Sequence, residues 1–299
     1  MIEKKKNDIR SDAGMEIEMA GIFSGLDKFG LGKLSGMNVF EEEKKEKAAD
    51  GQGKEAVKEI SEADLIFDKT FKCPCCDHEF KAKAVRAGKV KLVSMDSDLR
   101  PRYQQMDCLK YDAVVCPKCG YAALTRFFTV LTGAQAKLIK ENISASFRGI
   151  KEEGDIYTYE DALNRHKLAL VGTIVKRSKL SERAYTCLKL GWLLRGQAEE
   201  LPKNTPNYDE VIKQMKTEEL EALGNAYDGF SQAFSKEMFP MCGMDEHTTE
   251  LLMADLARRL GKKEESSRWI STILVSRDCN ERIKSKAREI KELLEAEKK

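Results

Sequence analysis

The chain has 299 residues, with 52 Lys and Arg against 50 Asp and Glu, so its formal net charge is +2. That balance argues against a dedicated nucleic-acid coat or a polybasic membrane binder. At 34% charged and 41% hydrophobic residues, the composition suits a helix-rich globular protein with an extended polar portion, and no apolar run approaches the ~20 residues that span a bilayer.

Residues 1–66 are charge-dense and carry no strand pattern. Met19, Ile22, Phe23 and Leu26 follow helical spacing, but the interleaved glycines each weaken a helix by up to ~1 kcal/mol, so the segment is expected to fold only against another surface. It imitates two phosphate-binding loops and satisfies neither. Asp27 and Leu34 stand where a P-loop needs Gly and Ser or Thr, and Ser35 stands where a dinucleotide fingerprint needs Gly. The stretch from Glu41 to Ile60 has almost nothing to bury and reads as a solvated, charged linker. The first residues, Met-Ile-Glu-Lys-Lys-Lys, lack the apolar core of a secretory signal. The nine cysteines are therefore expected to be thiols or metal ligands in a reducing, cytoplasmic setting, not a disulfide framework.

Residues 67–127 hold six of the cysteines and short alternating runs such as Lys89 to Val93, which predict a small β-rich module. Its strongest signal is Cys73-Pro74-Cys75-Cys76 paired with Cys116-Pro117-Lys118-Cys119-Gly120. Two thiols separated by two residues grip one ion in a tight turn whose amides donate to sulfur. Pro after the first cysteine presets the turn, and Gly120 supplies the positive φ that lets the chain leave it. Asp77 replaces that glycine in the first knuckle, a residue that tolerates the left-handed region better than most.

Cys73, Cys76, Cys116 and Cys119 thus form a four-thiolate set that closes a tetrahedral shell, which predicts a structural zinc ion with no open position for water. Lys72, Lys81 and Lys118 are placed to offset the −2 charge of the loaded site. Iron held as in rubredoxin-like proteins is the alternative metal. The intervening 39 residues are no obstacle, since doubling a loop costs only ~0.6 kcal/mol. Cys75 competes for partnership with Cys73, although the two-residue spacing favours Cys76; it then becomes an exposed, oxidisable bystander. His78 and Cys108 are further ligand candidates whose simpler readings are exposure and packing.

Residues 128–299 switch to helical periodicity. Leu220, Leu223, Tyr227, Phe230, Phe234 and Met238 form one apolar stripe; Ala162, His166, Ala169 and Thr173 form a weaker one. Ala184, Leu188, Gly191 and Arg195 share a third face. Breaks fall at Leu201–Pro206, Phe239–Pro240 and Gly261, the last suited to a left-handed C-cap. Helices are predicted over about 248–260, 264–276 and 280–298. The expected fold is mainly α: a small β-rich, zinc-ribbon-like module followed by a bundle of helical hairpins.

Four segments together resemble a known bacterial family, domain-of-unknown-function family 2225. They are Phe71 to Pro74, Asp96 to Tyr103 with Tyr111 to Ala122, and Ala254 to Gly261. The resemblance spans roughly residues 65–295 and implies a cytoplasmic metal-knuckle module joined to tetratricopeptide-like helices, with no established activity. On that alignment Ala254 and Ala257 take small-residue positions and Ile270 and Ile273 large ones, while Ser266 and Asp278 depart from the repeat pattern.

Function is less legible. One reading is a non-enzymatic adaptor that binds another protein through the helical surface. A second is a nucleic-acid binder, from Lys81, Lys83, Arg86, Lys89 and Lys91, although stacking aromatics between them are few. A hydrolase lacks parts: the three histidines, His78, His166 and His247, build no zinc-protease motif, and no nucleophile elbow is present. Asp96 to Tyr103 reads either as a ligand-facing loop or, preferably, as a turn with locally paired charges.

Overall fold

A computed structural model describes residues 61–150 and 154–297. The N-terminal amphipathic segment and the charged linker of the sequence reading lie outside the described residues. Among these, the protein is mainly helical, with seven α-helices and three two-stranded antiparallel sheets. None of the helices is long and apolar enough to cross a membrane.

Strand β1 (Ile66–Lys72) pairs with β2 (Glu79–Val85), and the register sets Phe71 opposite Phe80 and Ile66 opposite Val85. Those apolar cross-strand pairs anchor the two ends of the ribbon, since opposed side chains on one face pack directly. β3 (Leu92–Met95) pairs with β4 (Pro101–Tyr103), where Pro101 takes the first strand position, at which its missing N–H costs no ladder bond. The alternating stretch Lys89 to Val93, read as part of a β-rich module, runs into β3, where Leu92, Val93 and Met95 are all exposed, Val93 by 65%.

β5 (Ala113–Val115) and β6 (Ala122–Leu124) are wholly buried. Their unbroken apolar runs are those of a strand covered on both faces. Helix α1 (Gly133–Ile139) follows, continued by a π-turn at Lys140–Ser144. Helix α2 (Tyr159–Val175) starts from a capping box made by Thr158 and Asp161. It lies on β6 so closely that a Cβ at Gly172 would sit 2.5 Å from the Ala122 carbonyl oxygen. Only glycine permits that approach.

Helices α3 (Leu180–Glu200) and α4 (Tyr208–Phe234) form the principal hairpin. The predicted face Ala184, Leu188, Gly191 and Arg195 is buried, as is the α2 stripe Ala162, His166, Ala169 and Thr173. The α4 stripe is shorter than the sequence suggests. Leu223, Tyr227 and Phe230 are buried, but Leu220 is 45% exposed and Met238 lies beyond the helix end, 90% exposed. Each fully buried Leu or Phe contributes about 1.5–3 kcal/mol, so the central turns of α3 and α4 dominate the core.

Helices α5 (Glu246–Arg259) and α6 (Lys263–Val275) meet at Gly261, whose φ is 73°. The Lys262 amide donates to the Ala257 carbonyl at 2.8 Å, the wide bond of a Schellman cap. Ser266, an odd residue for a repeat helix, is fully buried and donates its hydroxyl to the Ala254 carbonyl at 2.8 Å. α7 (Glu281–Ala296), capped by Asn280, covers the hairpin with Ala287, Ile290 and Leu294.

Candidate metal centre

The two cysteine segments fold into equivalent turns. In the first, the Asp77 amide donates to the Cys73 carbonyl at 2.9 Å, and the Cys73 amide to the His78 carbonyl at 2.9 Å. In the second, the Gly120 amide donates to the Cys116 carbonyl at 2.9 Å, and the Cys116 amide to the Tyr121 carbonyl at 2.8 Å. Both turns close through a left-handed residue: Asp77 at φ 58° and Gly120 at φ 73°. Asp77 therefore does the work of a glycine. At Gly120 there is a second constraint, because a Cβ there would lie 2.6 Å from the Phe147 ring.

The turns face each other crosswise. Cys73 Sγ lies 3.6 Å from Cys119 Sγ, Cys76 Sγ lies 3.7 Å from Cys116 Sγ, and all four sulfurs fall within 4.8 Å of one another. A disulfide would bring a pair to about 2.05 Å. A tetrahedral ion with metal–sulfur bonds of about 2.3 Å would space its ligands about 3.8 Å apart. The cage has that dimension, and its donor set is all sulfur, so the residues fit a metal ion.

The electrostatics point the same way. Contact with Cys119 and burial push the Cys73 thiol well above its usual range, and burial pushes Cys116 up to about 11. Against this, the amides of Cys75 and Cys76 favour the Cys73 thiolate, and those of Lys118 and Cys119 favour the Cys116 thiolate. The amide arrangement is the same in both turns. Four thiolates this close would repel one another, and a bound cation would let them ionise together. The flanking lysines do little of that work: Lys72 pairs with Asp77 at 3.6 Å, and Lys81 and Lys118 are exposed.

The other candidates stand outside the cage. Cys75 was expected to be exposed and oxidisable; it is buried, with its thiol directed at the Ala136 carbonyl at 3.7 Å. The turn that points Cys73 and Cys76 into the cage points Cys75 at α1. His78 stacks on Phe80 with ring centroids 6.2 Å apart. Cys108 packs beside Val85 and Val90, and burial pushes its thiol up to about 12. Cys187 and Cys279 are buried core residues, whereas Cys242, of the same helical region, is only half-buried, with its thiol directed at the Ser181 carbonyl at 3.3 Å. His166 is fully buried on α2 with Nδ1 2.8 Å from the Ala162 carbonyl, and His247 pairs with Glu250 at 2.9 Å.

The stretch from Asp96 to Tyr103 is a turn, as preferred, but its charges are only partly paired locally. Arg102 does grip Asp96, through two bonds of 2.8 Å. Asp98, in contrast, is fully buried and accepts from Arg195 at 2.6 and 3.1 Å and from the Trp192 indole at 3.1 Å. Burial alone would push its carboxyl up; Arg195 and Arg259 hold it below the usual carboxylate range. Arg100 reaches Glu199 at 3.0 Å and Asp107 at 3.3 Å, and Ser97 donates to Asp255 at 2.9 Å. This loop is thus bolted to α3 and α5 by partners about a hundred or more residues away, which no local pattern signals.

A family model described as "Uncharacterized protein conserved in bacteria" matches residues 66–294, a span that includes both cysteine turns, the charged loop and the helices. No match was found among curated proteins or among solved structures. The four-sulfur cage and the helical hairpins therefore lie within the matched span, and this chain belongs to the DUF2225 family of uncharacterized proteins conserved in bacteria.

Proposed function

We propose that the protein is a non-enzymatic adaptor, built around a structural zinc ion, that binds another protein through its helical hairpins. The observation that carries the reading is the closed cage of Cys73, Cys76, Cys116 and Cys119, which uses every tetrahedral position and leaves none for a substrate. Zinc suits four thiolates with no electron to transfer; iron would suit the same geometry and is separable by colour. The helical half offers a groove of about 380 Å³ between α4 and α6, where Tyr227, Arg268 and Trp269 stand together. Those residue types dominate the energetic centres of protein interfaces.

The test has two readouts. The purified protein should be colourless and hold one zinc per chain, and a red protein containing iron would replace the zinc reading by the redox one. Affinity capture with crosslinking should then recover a specific protein that is lost with Arg268→Glu, while the zinc content and circular dichroism stay unchanged. A partner retained by that variant would place the interface elsewhere, and a salt-dependent gel shift with nucleic acid alone would favour the nucleic-acid reading.

A further inference from the structure

A second concave site lies apart from the sulfur cage and from the α4–α6 groove. It is a cavity of about 560 Å³ between the β1–β2 ribbon, the β3–β4 ribbon and α3, and no cage cysteine lines it. That volume is typical of small-ligand sites, which are mostly apolar with a few placed polar groups. Phe67 and Phe71 stand four residues apart on β1 and so share one face of the ribbon, with Ala84 opposite Phe67 in the register. Tyr103 and Leu92, paired across the second ribbon, add to the wall. Phe67 and Leu92 remain 37% and 48% exposed, so flat apolar surface is left to cover.

The polar floor is a built pair. Lys189, on α3, is only 8% exposed, and its ammonium lies 2.9 Å from Asp112 Oδ2. Burial alone would push the lysine down; Asp112 and Tyr185 hold it above its ordinary range, so the pair is ionised and its charges cancel. Both residues line the cavity. The pair engages one ammonium proton and one carboxylate oxygen, and 28% of the Asp112 side chain is still exposed. The floor therefore offers an acceptor beside a donor. The other lysines add nothing to it: the Lys69 ammonium lies 5.1 Å from the Phe71 ring centroid, and Lys83 stands opposite Asp68 in the register.

An apolar body alone would bury that donor and acceptor without partners, a cost that a matching edge removes. An anion would face the Asp112 carboxylate, and a cation would face the Lys189 ammonium. What fits is an uncharged group that donates and accepts side by side. We propose that this cavity binds a neutral planar heterocycle whose edge carries N–H beside C=O, the lactam edge of a nucleobase-like ring. Asp112 accepts from the N–H, Lys189 donates to the carbonyl, and the ring covers the wall formed by Phe67, Phe71 and Tyr103.

The probe is inosine, whose N1–H and C6 carbonyl form one such edge, titrated by calorimetry against the full-length protein. Beside it runs 1-methylinosine, the same rings with the N–H replaced by a methyl group. The expected result is one saturable inosine site per chain, with 1-methylinosine weaker by at least roughly tenfold, the size of one lost hydrogen bond to a charged acceptor. In Asp112→Leu/Lys189→Met, which removes both charges of the pair together, inosine should weaken and the difference between the two nucleosides should vanish. Ala84→Trp, which fills the cavity from β2, should abolish binding of both, and it decides the matter if the double variant does not fold. Equal affinity for the two nucleosides in the parent protein or a preference for inosine that survives the double variant would overturn the proposal. So would inosine binding retained by a folded Ala84→Trp protein, no saturable inosine binding, stronger binding of zwitterionic L-tryptophan, or binding only of a single-stranded oligonucleotide.

Discussion

Replacing Asp98 by Ala should cost the protein about 3 kcal/mol, at the lower edge of the 3–5 kcal/mol range for removing one member of a buried ion pair. Asp98 is fully buried, and its carboxylate accepts two bonds from Arg195 and one from the Trp192 indole. Without it the guanidinium stays buried, but not alone: Asp96 at 3.2 Å and Glu219 at 2.7 Å still face it, which is why the lower edge applies. For a unit of this size each kcal/mol lowers Tm by roughly 2–4 °C, so thermal unfolding should shift down by about 6–12 °C. Urea unfolding followed by circular dichroism measures the same quantity, with an unchanged m-value as the sign that stability alone has moved. In the double variant Asp98→Leu/Arg195→Met the two losses should be clearly less than additive, because the interaction of the pair is lost only once. Asp96, Glu219 and the Trp192 indole then lose a partner as well. A single-variant loss under about 1 kcal/mol, or losses that simply add in the double variant, would refute the claim that this pair ties the charged loop to α3.

The cage makes a sharper distinction between neighbouring cysteines. Cys76→Ser should abolish stoichiometric metal binding, whereas Cys75→Ser should leave it intact, as read by elemental analysis of the purified variants. His166 predicts a pH dependence. Burial lowers its pKa from 6.5 to about 4, so the unfolded chain takes up the proton first as pH falls. The stability that neutral His166 contributes is complete above pH 6.5 and declines between pH 6.5 and 4 by about 3 kcal/mol, at 1.36 kcal/mol per unit. His166→Leu should remove that slope from urea titrations, and an unchanged slope would exclude His166 as its source. Gly172→Ala should lose about 1–3 kcal/mol, because the new methyl meets the Ala122 carbonyl rather than a side chain that can move. A variant as stable as the parent would show that α2 can lift from β6 without cost.

The parts of this molecule that announce themselves in sequence are those whose physics is local. Cys-x-x-Cys turns, the left-handed positions at Asp77 and Gly120, the Gly261 break and the apolar faces of α2 and α3 all depend on neighbours within a few residues. The four cage residues were legible because two identical short patterns imply one ion between them. What escaped depends on distant partners. Asp98 finds Arg195 and Ser97 finds Asp255 across 97 and 158 residues, and nothing in Asp96 to Tyr103 distinguishes such bonds from local ones. Cys75 was misplaced because its burial is decided by α1, which packs over the turn from outside it. Met238 continued the α4 stripe by spacing, but the helix ends at Phe234 and leaves it in solvent.

The cage joins positions 73 and 76 to positions 116 and 119, so an ion bound there would close the 39 residues between Cys76 and Cys116 into a ring through sulfur and metal. Inside that ring lies the loop bolted to α3 and α5. Opening that ring would free both ends of the ribbon system at once, so a bound ion would act as a clasp whose release is felt at the helices as slack.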